Sequence, residues 1–296
     1  MFMIQLPPLG KLIVSSDSLG APQNLDTFRK VWEPLDQRIA GVELLGIGSA
    51  SCLKDKINDF KKEVPPVAVI GIHGRTGTIR TKRLEGNLVL LAARIKFLET
   101  KMLLQQFSSQ VSYILFHSPE LENQQNVTYL LEHKEELPCI MLENHVLEES
   151  WQHVQETVAR LYDQGLPVGL MIDTAHLFFD LPRGSLQTRW NYVLQKTEEA
   201  CNHFSKKIPI GVHLPFGLNR HDSVPIDKEL GENGIALEDL LRLSEVLNEA
   251  NVRIRVLENQ QLRVDRVFGP RNGGVEKQRV RNAMILDLFS RAKLIW

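Results

Sequence analysis

Short apolar runs recur along this chain, and most of them end at a side chain able to bind a metal ion. Runs at 67–72, 113–116, 140–142, 168–172, 208–212 and 252–257 are followed directly by His73, His117, Glu143, Asp173, His213 and Glu258. Such runs predict parallel strands buried on both faces. Two earlier runs predict strands at 12–14, followed by Ser15-Ser16-Asp17, and at 42–47, ending at Gly48-Ser49. The text between the runs is helical. Residues 88–107 contain neither Gly nor Pro, 149–162 stop before Gly165, and in 237–247 the residues Leu237, Leu240, Leu241 and Leu247 share one helical stripe. Val280, Ala283, Met284 and Leu288 form a similar stripe near the end. Eight strands alternating with eight helices predict an α/β fold, a (β/α)8 TIM barrel, over residues 1–296 as one domain. In such barrels the C-terminal strand ends surround one mouth, which carries the active site. The six polar residues that close strands three to eight are therefore expected to meet there.

Composition narrows the class of partner. Lys plus Arg number 35 against 36 Asp plus Glu, so the formal net charge is -1 and no global basic field draws nucleic acid or membrane to the surface. No apolar stretch approaches the roughly 20 residues that span a bilayer. Three scattered cysteines, Cys52, Cys139 and Cys201, suit a reducing compartment better than a disulfide scaffold. The start, Met1-Phe2-Met3-Ile4, lacks the basic head of a secretory signal. The expectation is a cytoplasmic protein with no membrane partner.

Imidazole and carboxylate donors without thiolate suit Zn2+, Mn2+ or Fe2+ in an open site rather than a structural zinc knot. Asp173-Thr174-Ala175-His176 adds a histidine three residues beyond the strand-six aspartate, and Asn219-Arg220-His221-Asp222 adds one shortly after His213. Eight candidate donors around one mouth are enough for two or three ions bridged by a carboxylate. Clustered divalent ions polarise a phosphoryl group, activate water and hold a leaving oxygen. Basic residues flank the same mouth. Arg75, Arg80, Lys82 and Arg83 follow strand three; Arg263, Arg266 and Arg271 follow strand eight, ahead of Gly273-Gly274 at a helix start. A glycine-rich helix N-terminus offers backbone N–H groups to phosphate, and barrels often bind phosphate after strands seven and eight.

The order His, His, Glu, Asp-x-x-His, His, Arg-His, Glu across residues 65–260 resembles endonuclease IV, the family 2 apurinic endonucleases of the xylose isomerase-like TIM barrel superfamily. The segments Leu142-Glu143-Asn144, Asp173-Thr174-Ala175-His176 and Leu257-Glu258 are similar to that family's motifs. The resemblance implies a phosphate-ester hydrolase with two or three Zn2+ ions. It places one ion on His73, His117 and Glu143, a second on Glu143, Asp173, His213 and Glu258, and a third on His176 and His221. Glu143 would bridge, and Glu143 and Glu258 would be the catalytic carboxylates. Arg75, Arg220 and Asn219 would contact substrate. Asn219 stands where the family has an aspartate ligand, with Asp222 the nearest substitute. The family's DNA-probing loop after strand two has no counterpart in residues 46–51. The implied substrate is thus a small phosphorylated compound, with DNA as the family's own alternative.

A second branch of the superfamily fits part of the pattern. Sugar isomerases and epimerases hold one Mn2+, Mg2+ or Fe2+ on four residues that match Glu143, Asp173, His213 and Glu258. Glu143 and Glu258 would then be an acid/base pair on opposite sides of a sugar carbon, with His176 and Arg220 on the sugar. That reading assigns no role to His73, His117 or His221. His133, His145, His153 and His203 lie on or beside helical text and carry no assignment; Trp32, Trp151, Trp190 and Trp296 read as packing.

Overall fold

The computed structural model describes residues 6–15, 37–45, 55, 57–59, 69–73, 111–117, 121, 124–144, 151–181, 184–214, 216–217, 224–225, 235–257 and 274–296. Eight parallel strands close into a barrel: β1 (Leu12–Ser15), β2 (Ile39–Leu45), β3 (Val69–His73), β4 (Tyr113–His117), β5 (Cys139–Glu143), β6 (Val168–Asp173), β7 (Ile210–Leu214) and β10 (Ile254–Leu257). Each pairs with its neighbour in sequence order, and β10 returns to β1 through Ile13 opposite Val256. Two short strands, β8 (Phe216–Gly217) and β9 (Val224–Pro225), form a separate parallel pair. The helices described are α1 (Gln124–Glu132), α2 (Trp151–Asp163), α3 (Thr174–Asp180), α4 (Leu186–Phe204), α5 (Leu237–Glu249) and α6 (Gly274–Arg291). The TIM-barrel expectation is met. The predicted helix at 88–107 lies outside the described residues.

Strand periodicity splits the apolar residues into two cores. One lines the barrel interior: Ile13, Tyr113, Leu115, Cys139, Met141, Met171, Ile254 and Val256. The other, larger one fills the layer between strands and helices, with Leu12, Val14, Ile114, Phe116, Ile140 and Leu142 from the same strands. Side chains alternate across a strand, so residues two beyond an interior position point inward as well. The steps from Leu115 to His117, Met141 to Glu143 and Met171 to Asp173 therefore carry the polar residues into the barrel mouth.

Glycines make room for the large interior side chains. A Cβ on Gly71 would collide with the Tyr113 ring, and one on Gly211 would sit 2.8 Å from the Met171 sulfur. The approach of the rigid, buried Tyr113 ring is what calls for glycine at position 71.

The helices close the outer layer by their buried stripes. On α2 the stripe is Trp151, Val154, Val158 and Leu161, and the chain leaves through Gly165 at φ +82°. Ser185 caps α4 by accepting from Thr188 N, and Trp190, Val193, Leu194, Cys201 and Phe204 face inward. The last helix corrects the sequence expectation. Its buried face is Ile285, Leu286, Leu288, Phe289 and Ala292; Leu288 of the assigned stripe lies on it, whereas Ala283 and Met284 are exposed. The β2 bounds are also displaced. The strand starts at Ile39, three residues before the predicted 42–47, and ends at Leu45; Gly41 separates Ile39 and Ala40 from the run that begins at Val42.

Two details secure the far end of the barrel. Trp296 N donates to Gly10 O at 3.0 Å. The wholly buried Arg255 donates to Val252 O, Leu294 O and Asn248 Oδ1 at 2.9, 2.6 and 2.6 Å. Burial lowers this guanidinium to about 10. Cys139 and Cys201 are free, buried thiols, each pushed up to about 12 by burial. No described helix is long and apolar enough to cross a membrane.

Candidate metal centre

His73, His117, Glu143 and Asp173 are the last residues of β3, β4, β5 and β6, and His213 is the last but one of β7. The register sets His117 directly opposite Glu143, and Asp173 directly opposite His213. All five are buried. Residues 140 positions apart in sequence thus share one small polar volume at the barrel mouth.

Glu143 is the hub, and its two oxygens face different partners. Oε2 lies 3.3 Å from His73 Nε2 and 3.5 Å from His117 Nδ1; Oε1 lies 2.7 Å from His213 Nδ1. The His73 ring stacks on His213 with centroids 5.6 Å apart and meets His117 edge-on at 6.0 Å. These nitrogens approach at ion-pair distance, yet neither Glu143 oxygen accepts an aligned hydrogen bond among the described residues. Ligand atoms of Glu143, Asp173 and His213 lie within 4.8 Å of one another. Converging donors that are not aimed at each other as hydrogen bonds are the arrangement a cation needs at their centre.

The electrostatics agree with that geometry. Burial alone would raise the Glu143 carboxyl, but the charges of His213 and His73 hold it well below the ordinary carboxylate range. Burial would lower His73; the adjacent Glu143 and, behind it, Glu43 push it up to about 10 instead. His213 is likewise raised far above an ordinary imidazole by Glu43 and Glu143 despite burial. Asp173 is raised by burial and by the nearby Glu143 charge, against the pull of His176 and His213. A divalent ion would take over the role that imidazolium protons play here, and it would deprotonate its ligands.

Glu43 belongs to the site although sequence reasoning did not single it out. It is wholly buried in the middle of β2, and its Oε2 accepts from Tyr113 Oη at 2.7 Å and lies 3.2 Å from His213 Nε2. Glu43, His73 and His213 form a second buried group able to hold a metal ion. Burial would raise the Glu43 carboxyl, but His213 and His73 lower it, whereas Tyr113 is raised far above an ordinary phenol by burial and by Glu43. The sequence signal was a lone acid two residues after Gly41 inside an apolar strand.

Asp173 is fixed from both sides. Its Oδ1 accepts from Ala175 N and His176 N at 2.7 and 3.0 Å and so caps α3. Asn144, next to Glu143, accepts from Asp173 N at 2.7 Å and returns a hydrogen bond to Asp173 O at 3.1 Å. This reciprocal pair locks the tips of β5 and β6 together. The Thr174 hydroxyl donates to His213 O at 3.0 Å and ties in β7. His176 stands at the rim, half-buried, with Nδ1 2.6 Å from Asn144 O and 3.5 Å from Asp173 Oδ2. It is not part of either buried donor group. At the end of α3, Asp180 is raised by burial to about 6, against the pull of His176.

The structure therefore brings together His73, His117, Glu143, Asp173 and His213, with His176 at the edge. Arg75, Asn219, Arg220, His221, Asp222 and Glu258 lie outside the described residues, as do the basic residues after strands three and eight. The donors present, imidazoles and carboxylates with no thiolate, fit a catalytic-type divalent ion. His133, by contrast, bonds within its own turn, with Nδ1 2.9 Å from Tyr129 O.

No protein-family model matches the chain, and no curated protein matches it. Among solved structures, 3-dehydroquinate dehydratase from Geobacillus kaustophilus aligns over 93% of this chain and 91% of its own, with 10% identity and a TM-score of 0.47. The N-acetylneuraminic acid synthetase of Leptospira borgpetersenii aligns over 95% and 85%, with 11% identity and a TM-score of 0.47. The citrate lyase beta subunit from M. tuberculosis aligns over 89% and 96%, with 11% identity and a TM-score of 0.43. Likenesses this distant carry nothing about activity, and the barrel rests on its own strand register.

Proposed function

We propose that this chain is a divalent-metal-dependent hydrolase of phosphate esters, akin to the family 2 apurinic endonucleases of the xylose isomerase-like superfamily. One observation carries the reading: Glu143 divides its oxygens, Oε2 toward His73 and His117, Oε1 toward His213. A carboxylate shared in this way is suited to bridging two ions. His73 and His117 would complete one position, and Asp173 and His213 the other. Ions held there, zinc being the best match to the donors, would supply Lewis-acid polarisation of a phosphoryl oxygen and activation of water.

The chain's own groups supply placement. Asn144 holds Asp173 in register with Glu143, the Asp173 cap fixes its carboxylate rotamer, and Thr174 anchors the strand that carries His213. The apolar interior below the mouth, with Leu115, Met141 and Met171, closes the site from beneath and lowers the local dielectric. Arg75, Arg220 and Asn219 are the assigned contacts for an anionic substrate.

A second reading is favoured by one observation: Glu143, Asp173 and His213 are by themselves a compact buried donor group, three of the four that the mononuclear sugar isomerases use. Protein loaded with Zn2+ or Mn2+ is to be assayed on bis(p-nitrophenyl) phosphate and, in parallel, on an aldose and ketose panel. The hydrolase reading expects phosphodiester cleavage that His117→Ala abolishes. Sugar interconversion that survives His117→Ala, without phosphodiester cleavage, makes it an isomerase.

A further inference from the structure

We propose that Glu43 is a positioning residue that fixes the His213 ring, keeping a proton on Nε2 so that Nδ1 faces the cation. The inference rests on the metal-site reading above, but not on the number of ions, because His213 is a ligand in both the hydrolase and the isomerase assignments.

The two nitrogens of His213 face two different carboxylates. Nδ1 lies 2.7 Å from Glu143 Oε1, and Nε2 lies 3.2 Å from Glu43 Oε2, which is one layer deeper, opposite Gly71. A ring nitrogen that donates a proton cannot also bind a metal, so the partner of one nitrogen selects the role of the other. A carboxylate behind a ligating histidine fixes its tautomer and raises its basicity.

Glu43 is built to stay in that place. It is wholly buried, and the Tyr113 hydroxyl donates to the same Oε2 at 2.7 Å. Tyr113 is also wholly buried, and its ring lies so close over Gly71 that a Cβ there would collide with it. The chain Gly71, Tyr113, Glu43, His213 thus runs up the barrel interior to the mouth. It explains why a barrel core otherwise lined below the mouth by Leu, Ile, Val, Met and Cys includes a tyrosine and a glutamate, whose burial is costly unless they are paired.

The alternative role for Glu43 is direct ligation of an ion together with His73 and His213. The hydroxyl already bound to Oε2 and the hydrogen-bond distance to Nε2 favour the positioning role. The two roles predict different losses.

The test uses full-length protein and Zn2+. His117→Ala isolates the position made by Glu143, Asp173 and His213; in that background Glu43→Gln is expected to weaken Zn2+ affinity roughly 10- to 100-fold, with stoichiometry kept. Tyr113→Phe removes one hydroxyl while its ring stays over Gly71, and is expected to weaken affinity less. It serves as the second variant if Glu43→Gln does not fold. Nitrogen-15 histidine spectra of the Zn2+-loaded protein should show His213 protonated at Nε2 and metal-bound at Nδ1. Three results overturn the proposal: unchanged affinity in both variants, a proton found on Nδ1, or loss of a whole equivalent of Zn2+ in Glu43→Gln, which would make Glu43 a ligand. Wild-type protein that holds no Zn2+ at all defeats the metal reading itself, a distinguishable outcome.

Discussion

At the scale of single residues, His73 shows how the metal-free site is held together. Its imidazole is pushed up to about 10 by Glu143 and Glu43, against burial. A histidine raised in the folded state stabilises the fold fully below its unfolded value near 6.5. That contribution fades as pH climbs through about 10. Metal-free protein should therefore lose stability between about pH 6.5 and 10, as read by urea denaturation at fixed ionic strength. The same proton competes with a cation, so Zn2+ binding near pH 7 should release protons. Calorimetry in buffers of different ionisation enthalpy reads that release, and a heat independent of buffer would contradict the assignment of His73 as a ligand. His73→Gln should flatten the alkaline loss of stability.

At the scale of elements, the site is a set of strand tips held in register, and the tips of β5 and β6 are joined through Asn144. Asn144 makes two hydrogen bonds to the Asp173 backbone. Asn144→Ala leaves a buried N–H and C=O without these partners, at a cost of about 1–3 kcal/mol for each unsatisfied group. The midpoint of chemical denaturation should fall accordingly, and Zn2+ affinity with it. A variant as stable as wild type would mean that these two hydrogen bonds contribute nothing to the fold.

The tips were legible in the sequence because each ends an uninterrupted apolar run: Ile72 before His73, Phe116 before His117, Leu142 before Glu143. What hid Glu43 was its position. It sits mid-strand, between Val42 and Leu44, and not at a strand tip where the other polar residues of the site stand. Tyr113 was read only as the start of a strand, since nothing local shows that its ring crosses Gly71. Asn144 was visible as part of a motif, but its reciprocal bonds span strands and depend on tertiary register. The α6 stripe was misphased because Met284 is as apolar as the residues that bury, and only packing separates them.

At the scale of the whole molecule, barrel closure is what turns distant residues into one site. Glu43 and His213 are 170 positions apart in sequence yet stand at hydrogen-bond distance inside the same barrel. The interior is graded, apolar below and ionisable above, so the charged groups cluster at the one end where strand tips open to substrate. Any divalent ion that binds the folded chain alone will stabilise it by mass action, about 2.7 kcal/mol at a hundredfold excess over Kd.

The central claim, a carboxylate shared between two cations, is tested most directly by counting ions. Protein purified without chelator, then saturated with Zn2+ and desalted, should retain at least two ions per chain by elemental analysis, and His117→Ala should retain one fewer. A single ion in both proteins, or none in either, would contradict it.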